Sequence, residues 1–117
     1  MNELTLRQVC EKYGVTRRAV QGYEKHRLVH PTGKTNRGYL LYDEQEQSII
    51  SRVKMFQGFG FSVKEIVEYQ NMDNLSRINI LQKKLMALIE NRESTDKNIS
   101  EIKNLIENIQ KQDLDLQ

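Results

Sequence analysis

The residues in this sequence best suited to chemistry are cations. Six Lys and Arg fall between Arg17 and Arg37, namely Arg17, Arg18, Lys25, Arg27, Lys34 and Arg37. A guanidinium is a planar fork that matches guanine O6 and N7 or a phosphate, and an ammonium is a compact point charge. A cluster of both kinds is suited to binding a polyanion. The rest of the chain does not share this charge. Residues 1–42 carry eight Lys/Arg against three Asp/Glu, a net +5, whereas residues 43–117 carry ten against thirteen, a net −3.

Other chemistries lack their residues. There is no paired-carboxylate, nucleophile–base or phosphate-cradling glycine pattern, so no catalytic residues are expected and the chain does not read as an enzyme. His26 and His30 have no carboxylate at ligand spacing and read as surface or phosphate-proximal groups. The single Cys10 cannot form an internal disulfide or a multi-thiolate metal site. No metal and no cofactor are expected. The start MNELTLRQVC lacks the pattern of a signal peptide, and no apolar run could span a bilayer, which implies a cytoplasmic protein without a membrane partner. With 117 residues, 38% hydrophobic and 29% charged, the chain suits a small head with a large exposed element.

Elements that could position the cations follow from periodicity and caps. Thr5 with Gln8 forms a capping-box start, and Leu6, Val9, Cys10 and Tyr13 recur on one helical face until Gly14 stops the helix. Thr16 caps a second helix to about Lys25, with Val15, Ala19, Val20 and Tyr23 inward. Two short helices across a glycine-containing turn make a helix-turn-helix. Leu28 to Pro31 is extended, and Thr32 to Gly38 is a polar loop carrying Lys34 and Arg37. Tyr39 to Tyr42 is strand-like, with Tyr39 and Tyr42 read as packing residues. Strand, basic loop and strand after the second helix form a wing. Asp43 with Glu46 starts a third helix reaching about Phe59, with Ile49, Ile50, Val53, Phe56 and Phe59 inward. Ser62 with Glu65 starts a short fourth helix, and Met55, Met72 and Met86 read as core fillers.

No proline or glycine follows Gly60, and Asn74 to Gln112 reads as one helix of about 58 Å. It carries a heptad seam. Positions a are Ile78, Leu85, Arg92, Ile99 and Ile106, and positions d are Leu81, Leu88, Thr95, Ile102 and Ile109. Eight of these ten are Ile or Leu, as a coiled coil requires. The seam is nearly palindromic. An antiparallel dimer pairs Ile78 with Ile109, Leu81 with Ile106, Leu85 with Ile102 and Leu88 with Ile99, and sets Arg92 against Thr95. A parallel dimer would set Arg92 against Arg92. A hairpin within one chain, turning in Asn91 to Asn98, would produce the same palindrome, but that stretch holds no Gly or Pro.

Three separated pieces, LTLRQVCEKYGVTRRAVQGYEKHRLVHP, GYLLYDEQE and RVKMFQGFGFSVKEI, resemble the DNA-binding head of the MerR family of bacterial transcription regulators. The resemblance covers Leu4 to about Tyr69. It implies a mainly α fold, with a winged helix-turn-helix DNA-binding domain over residues 1–72 and a long antiparallel coiled-coil dimerisation helix over residues 73–117. It also implies a homodimer that binds a near-palindromic operator in double-stranded DNA and regulates transcription, with RNA polymerase at the promoter as a further partner. On this resemblance the second helix enters the major groove. Arg17 and Arg18 reach guanine edges or phosphates, and Gln21 reaches adenine or phosphate. Tyr23 either packs in the core or touches phosphate, and Lys34 and Arg37 on the wing meet the DNA backbone.

The sequence also departs from the family. The common Arg-Tyr-Tyr late in the second helix is Gln21-Gly22-Tyr23, the glycine after that helix is Arg27, and the arginine after the wing tyrosine is Leu40. Gly22 leaves two readings open, a close backbone approach or a tolerated loss of helix propensity. Metal-sensing members place paired cysteines near the dimerisation helix, and none are present. Drug-sensing members carry a separate effector domain, and here about five residues follow the helix, so none is expected. Two other classes fit less well. An architectural or excisionase-like DNA-binding factor would lack the long seam, and a coiled-coil interaction module would not need the cation cluster.

Overall fold

The computed structural model describes residues 2–115, with side chains through residue 113. Thr5 has two roles at the start of the chain. It ends strand β1 (Leu4–Thr5) and caps helix α1 (Leu6–Tyr13) through a capping box with Gln8. Gly14 closes α1 in the left-handed conformation, at φ 65°, and Thr16 caps α2 (Arg17–Lys25) by accepting from the Ala19 N–H. The turn between them is fastened from outside. Lys54 Nζ donates to the carbonyls of Tyr13 and Gly14 at 2.6 and 3.2 Å, satisfying acceptors that a helix end leaves orphaned.

The wing consists of β2 (Gly33–Lys34) and β3 (Leu40–Tyr42), paired antiparallel with Gly33 opposite Leu41 and Lys34 opposite Leu40. Strand β1 joins the other edge of β3, Leu4 opposite Tyr42 and Thr5 opposite Leu41, giving the sheet order β1-β3-β2. The third strand is absent from the sequence reading because two residues cannot display a period. Helix α3 (Glu44–Gly58) starts on Asp43, whose carboxylate accepts from the Glu46 N–H at 2.9 Å, and α4 (Val63–Gln70) starts on the Ser62–Glu65 capping box.

Val9, Val20, Tyr23, Leu28, Val29, Tyr42, Ile50, Val53, Phe61 and Ile66 form the core. Two buried polar side chains tie the wing's base to α3. Gln47 Nε2 donates to the carbonyls of Asn2 and Tyr42 at 2.8 and 2.9 Å, and its Oε1 accepts from the Tyr13 hydroxyl at 3.0 Å. Glu46 accepts from the His30 N–H at 3.2 Å. Phe56 packs its ring against Phe61 and Tyr69, each 5.0 Å away between centroids. Two residues read as inward lie elsewhere. Met55 is 50% exposed and Phe59 is also exposed, because the helical period puts both on the side of α3 away from buried Ile50 and Val53.

Helix α5 runs unbroken from Asn74 to Asp115, with no turn in 91–98, which removes the intrachain hairpin. Its start is capped by Asp73, whose carboxylate accepts from the Ser76 N–H at 2.8 Å. That bond holds the Asp73 carboxyl below its ordinary range. The chain forms two compact units, Met1–Ile78 and Asn79–Gln117. In α5 the seam residues Ile78, Leu85, Leu88, Ile99, Ile102, Ile106 and Ile109 are 43–58% exposed, and Met86 is exposed rather than a core filler. Leu81 is partly exposed. Among the described residues no helix is long and apolar enough to cross a membrane.

Candidate nucleic-acid interface

The inward face of α2 is fixed by Val20 and Tyr23, both buried, so a 3.6-residue period leaves Arg17, Arg18, Gln21 and Lys25 on the outward side. All four are exposed. Arg17 and Arg18 occupy the first two positions of the helix, directly after its cap. On the wing, Lys34 lies exposed on β2, and Arg37 lies exposed in the turn closed by the Gly38 N–H to the Thr35 carbonyl at 2.9 Å.

The helix start and the wing meet in one concave surface. It is lined by Thr5, Leu6 and Arg7 of the first strand and helix, by Arg17, and by Gly38, Tyr39 and Leu40 of the wing. Two of these residues escaped the sequence reading. Tyr39 is 60% exposed rather than packed, while its backbone holds the hairpin shut through the Thr35 N–H to the Tyr39 carbonyl at 2.9 Å. Alternation carried one residue back from β3 holds the signal: with Tyr42 buried, Tyr39 three positions earlier falls on the opposite face. Arg7 follows likewise from the inward set Leu6, Val9, Cys10 and Tyr13. It is exposed, and its Nε lies 3.5 Å from Glu11 Oε1.

Tyr23 has to be removed from the DNA contacts. It is 1% exposed, and its hydroxyl donates to Gln57 Oε1 at 2.6 Å. Burial pushes that hydroxyl's pKa up. The ring fastens α2 to α3 and leaves no surface for a phosphate to meet. Tyr42 is buried in the same way and donates to Glu24 of α2, which secures the wing to that helix. Burial, followed by that bond to Glu24, raises the Tyr42 pKa.

The turn after α2 accounts for one departure from the family pattern. Arg27 adopts φ 61°, the only positive value at a non-glycine residue among those described. An L side chain there carries a cost of about 1–2 kcal/mol. The chain therefore keeps the backbone conformation that glycine would supply and fills it with a cation. His26, just before, directs Nδ1 at the Gly22 carbonyl at 3.0 Å. No cluster of three or more His, Cys, Asp or Glu among the described residues could hold a metal ion.

Comparison with known proteins agrees with this geometry. The model of the MerR HTH family of regulatory proteins matches residues 4–73, more than half of the chain. The HTH-type transcriptional activator mta of Bacillus subtilis is 29% identical over 97 residues, covering 83% of this chain and 38% of its own length. The chain thus spans well under half of that relative. Among solved structures, a MerR family transcriptional regulator from Bacillus cereus superposes with a TM-score of 0.74 at 21% identity, over 92% of this chain and 83% of its own. HiNmlR, a MerR family regulator lacking the sensor domain and bound to promoter DNA, superposes with a TM-score of 0.58 at 18% identity, over 78% of this chain and 76% of its own. The family match rests on residues 4–73, which hold the capped α1–α2 pair, the wing, α3 and α4, and it makes this chain a member of the MerR HTH family of regulatory proteins.

Proposed function

We propose that the chain regulates transcription in the cytoplasm as an antiparallel homodimer whose two heads bind the half-sites of a near-palindromic operator in promoter DNA. Residues 1–72 act as the DNA-binding domain and residues 73–117 as the dimerisation helix. The observation that carries the DNA half is the outward face of α2. Arg17 and Arg18 are exposed at the N-terminal end of α2, with Gln21 exposed one turn further along, beside an exposed wing, and a recognition helix enters a major groove by that end. Arg18 reads a guanine, Arg17 and Gln21 contact bases or phosphates, and Lys34 and Arg37 neutralise phosphates beside the groove. Arg7 and Tyr39 add to the backbone contacts from the same concavity. The dimer half is supported by the exposed seam of α5, paired as Ile78–Ile109, Leu81–Ile106, Leu85–Ile102 and Leu88–Ile99. RNA polymerase is the further partner such a dimer meets at a promoter. Promoter DNA is also the ligand of HiNmlR in its solved complex.

A footprint on the chain's own promoter region identifies the operator, and titrations then separate the contacts. Arg18→Ala weakens operator binding by about 1–3 kcal/mol per half-site and relaxes discrimination at one base position in each half-site. The double substitution Lys34→Ala/Arg37→Ala leaves sequence preference intact. It makes the slope of log affinity against log salt shallower by about 3.6, since each contact releases about 0.9 ion and a dimer carries each contact twice. Equal losses for Arg18→Ala on operator and random duplex would reassign that residue to phosphate. An unchanged slope and affinity for the wing pair would remove the hairpin from the interface.

A further inference from the structure

Gly22 stands where a helix does not want a glycine. It is the sixth of the nine residues of α2, and interior glycine weakens a helix relative to alanine by leaving the unfolded chain more freedom to lose. Nothing inside the chain requires it. Its φ is not positive, and a Cβ built on it meets no atom within 4 Å. Gly14 is the counter-example, with φ +65° and a Cβ position 2.8 Å from Lys54 Nζ. Gly58 also faces open space, but it is the last residue of α3, where helix propensity counts for little. Gly22 is thus the helix-interior glycine with an internal cost and no internal reason.

Its position suggests an external one. Gly22 lies one turn after Arg18 on the same stripe of α2, with Gln21 and Lys25 flanking it, and all three of those side chains are exposed. The missing side chain leaves a notch among long polar groups. When a recognition helix enters the major groove by its N-terminus, its first residues reach base edges. A residue about 6 Å further along the axis passes the strand that forms the groove wall. We propose that Gly22 is a contact point for DNA at which the sugar–phosphate backbone lies against the main chain of α2, in the space a Cβ would occupy. This role rests on the reading of α2 as the recognition helix. It makes Gly22 a positioning residue, setting how deeply Arg18 and Gln21 enter the groove, and it explains why an aromatic residue common in the family is absent.

The test is Gly22→Ala in the full chain, measured as thermal midpoint without DNA and as affinity for two duplexes, the footprinted operator and a scrambled sequence of equal length. The expected result has opposite signs. The midpoint rises by a few degrees, while affinity falls at least tenfold on both duplexes. The salt slope is unchanged, because no charge is lost. Gly22→Leu should deepen the binding loss. Unchanged or tighter binding overturns the proposal, and so does a lowered midpoint, which would reveal an internal role for the glycine. A loss confined to the operator overturns the backbone assignment in favour of a base contact. A wild-type protein that binds neither duplex at low salt overturns the recognition-helix reading together with Gly22's role. Wild-type binding with an indifferent Gly22→Ala overturns Gly22's role alone.

Discussion

The head and the long helix use the same kinds of apolar residue to opposite ends. In the head, Ile50 and Val20 are fully covered by neighbours from the same chain, and every buried polar side-chain atom among the described residues has a partner. In α5, Ile and Leu recur just as regularly, yet their side chains stand largely open. Amphipathicity alone therefore does not say where a helix buries its face. The period does. A stripe that serves a globular head ends after two or three turns, as in α1 and α2, because the element it covers is no longer. A stripe sustained from Ile78 to Ile109 exceeds anything a head of this size could cover and calls for a surface of equal length.

The largest expected effect breaks this contrast at the seam. In the antiparallel dimer proposed above, Leu85→Asp/Ile102→Asp would place carboxylates opposite each other, where an uncompensated buried charge costs about 3–5 kcal/mol. Sedimentation should then show a monomer while the far-UV signal of the head persists. Wild-type protein that is already monomeric at micromolar concentration would refute the seam's role. The complementary change is Ile50→Ala. It empties a fully buried site in the head and should lower stability by about 2–5 kcal/mol, measured by denaturant unfolding. Association through α5 should survive it, and coupled loss of both would show that the two regions do not act separately.

A smaller effect is expected in the turn after α2. Arg27→Gly relieves the positive φ but adds freedom to the unfolded chain, so the head should gain up to about 1 kcal/mol. A loss of stability would mean that the arginine's side chain contributes more than its backbone costs. The smallest effect concerns the junction. Asp73 has a folded pKa below the ordinary aspartate value, chiefly because the Ser76 N–H stabilises the carboxylate. Its contribution is therefore present above about pH 4 and is lost as the pH falls through the lower folded value. Asp73→Asn keeps a capping side chain, so neutral stability should hardly change while the acid limb of the stability curve becomes flatter. An identical acid limb in both proteins would show that Asp73 is not titrating there.

Much of this protein was legible in its sequence because the signals are local. Caps such as Thr5–Gln8, Asp43–Glu46 and Ser62–Glu65 act within three residues. Helical faces repeat every three or four, and the heptad repeat carries its own register. The cation cluster and three spaced motifs were enough to suggest the family. The tertiary structure decided what depends on residues far apart in the chain. Strand β1 exists only because β3 offers it an edge. Tyr23 becomes a core residue because Gln57, thirty-four positions away, accepts its hydroxyl. Local period turns Tyr39 and Arg7 outward, but only the packing of α1, α2 and the wing brings them to one concave surface with Arg17. A side chain's type and spacing fix what it can do, but whether it faces solvent or a partner is set by long-range packing that no local pattern encodes.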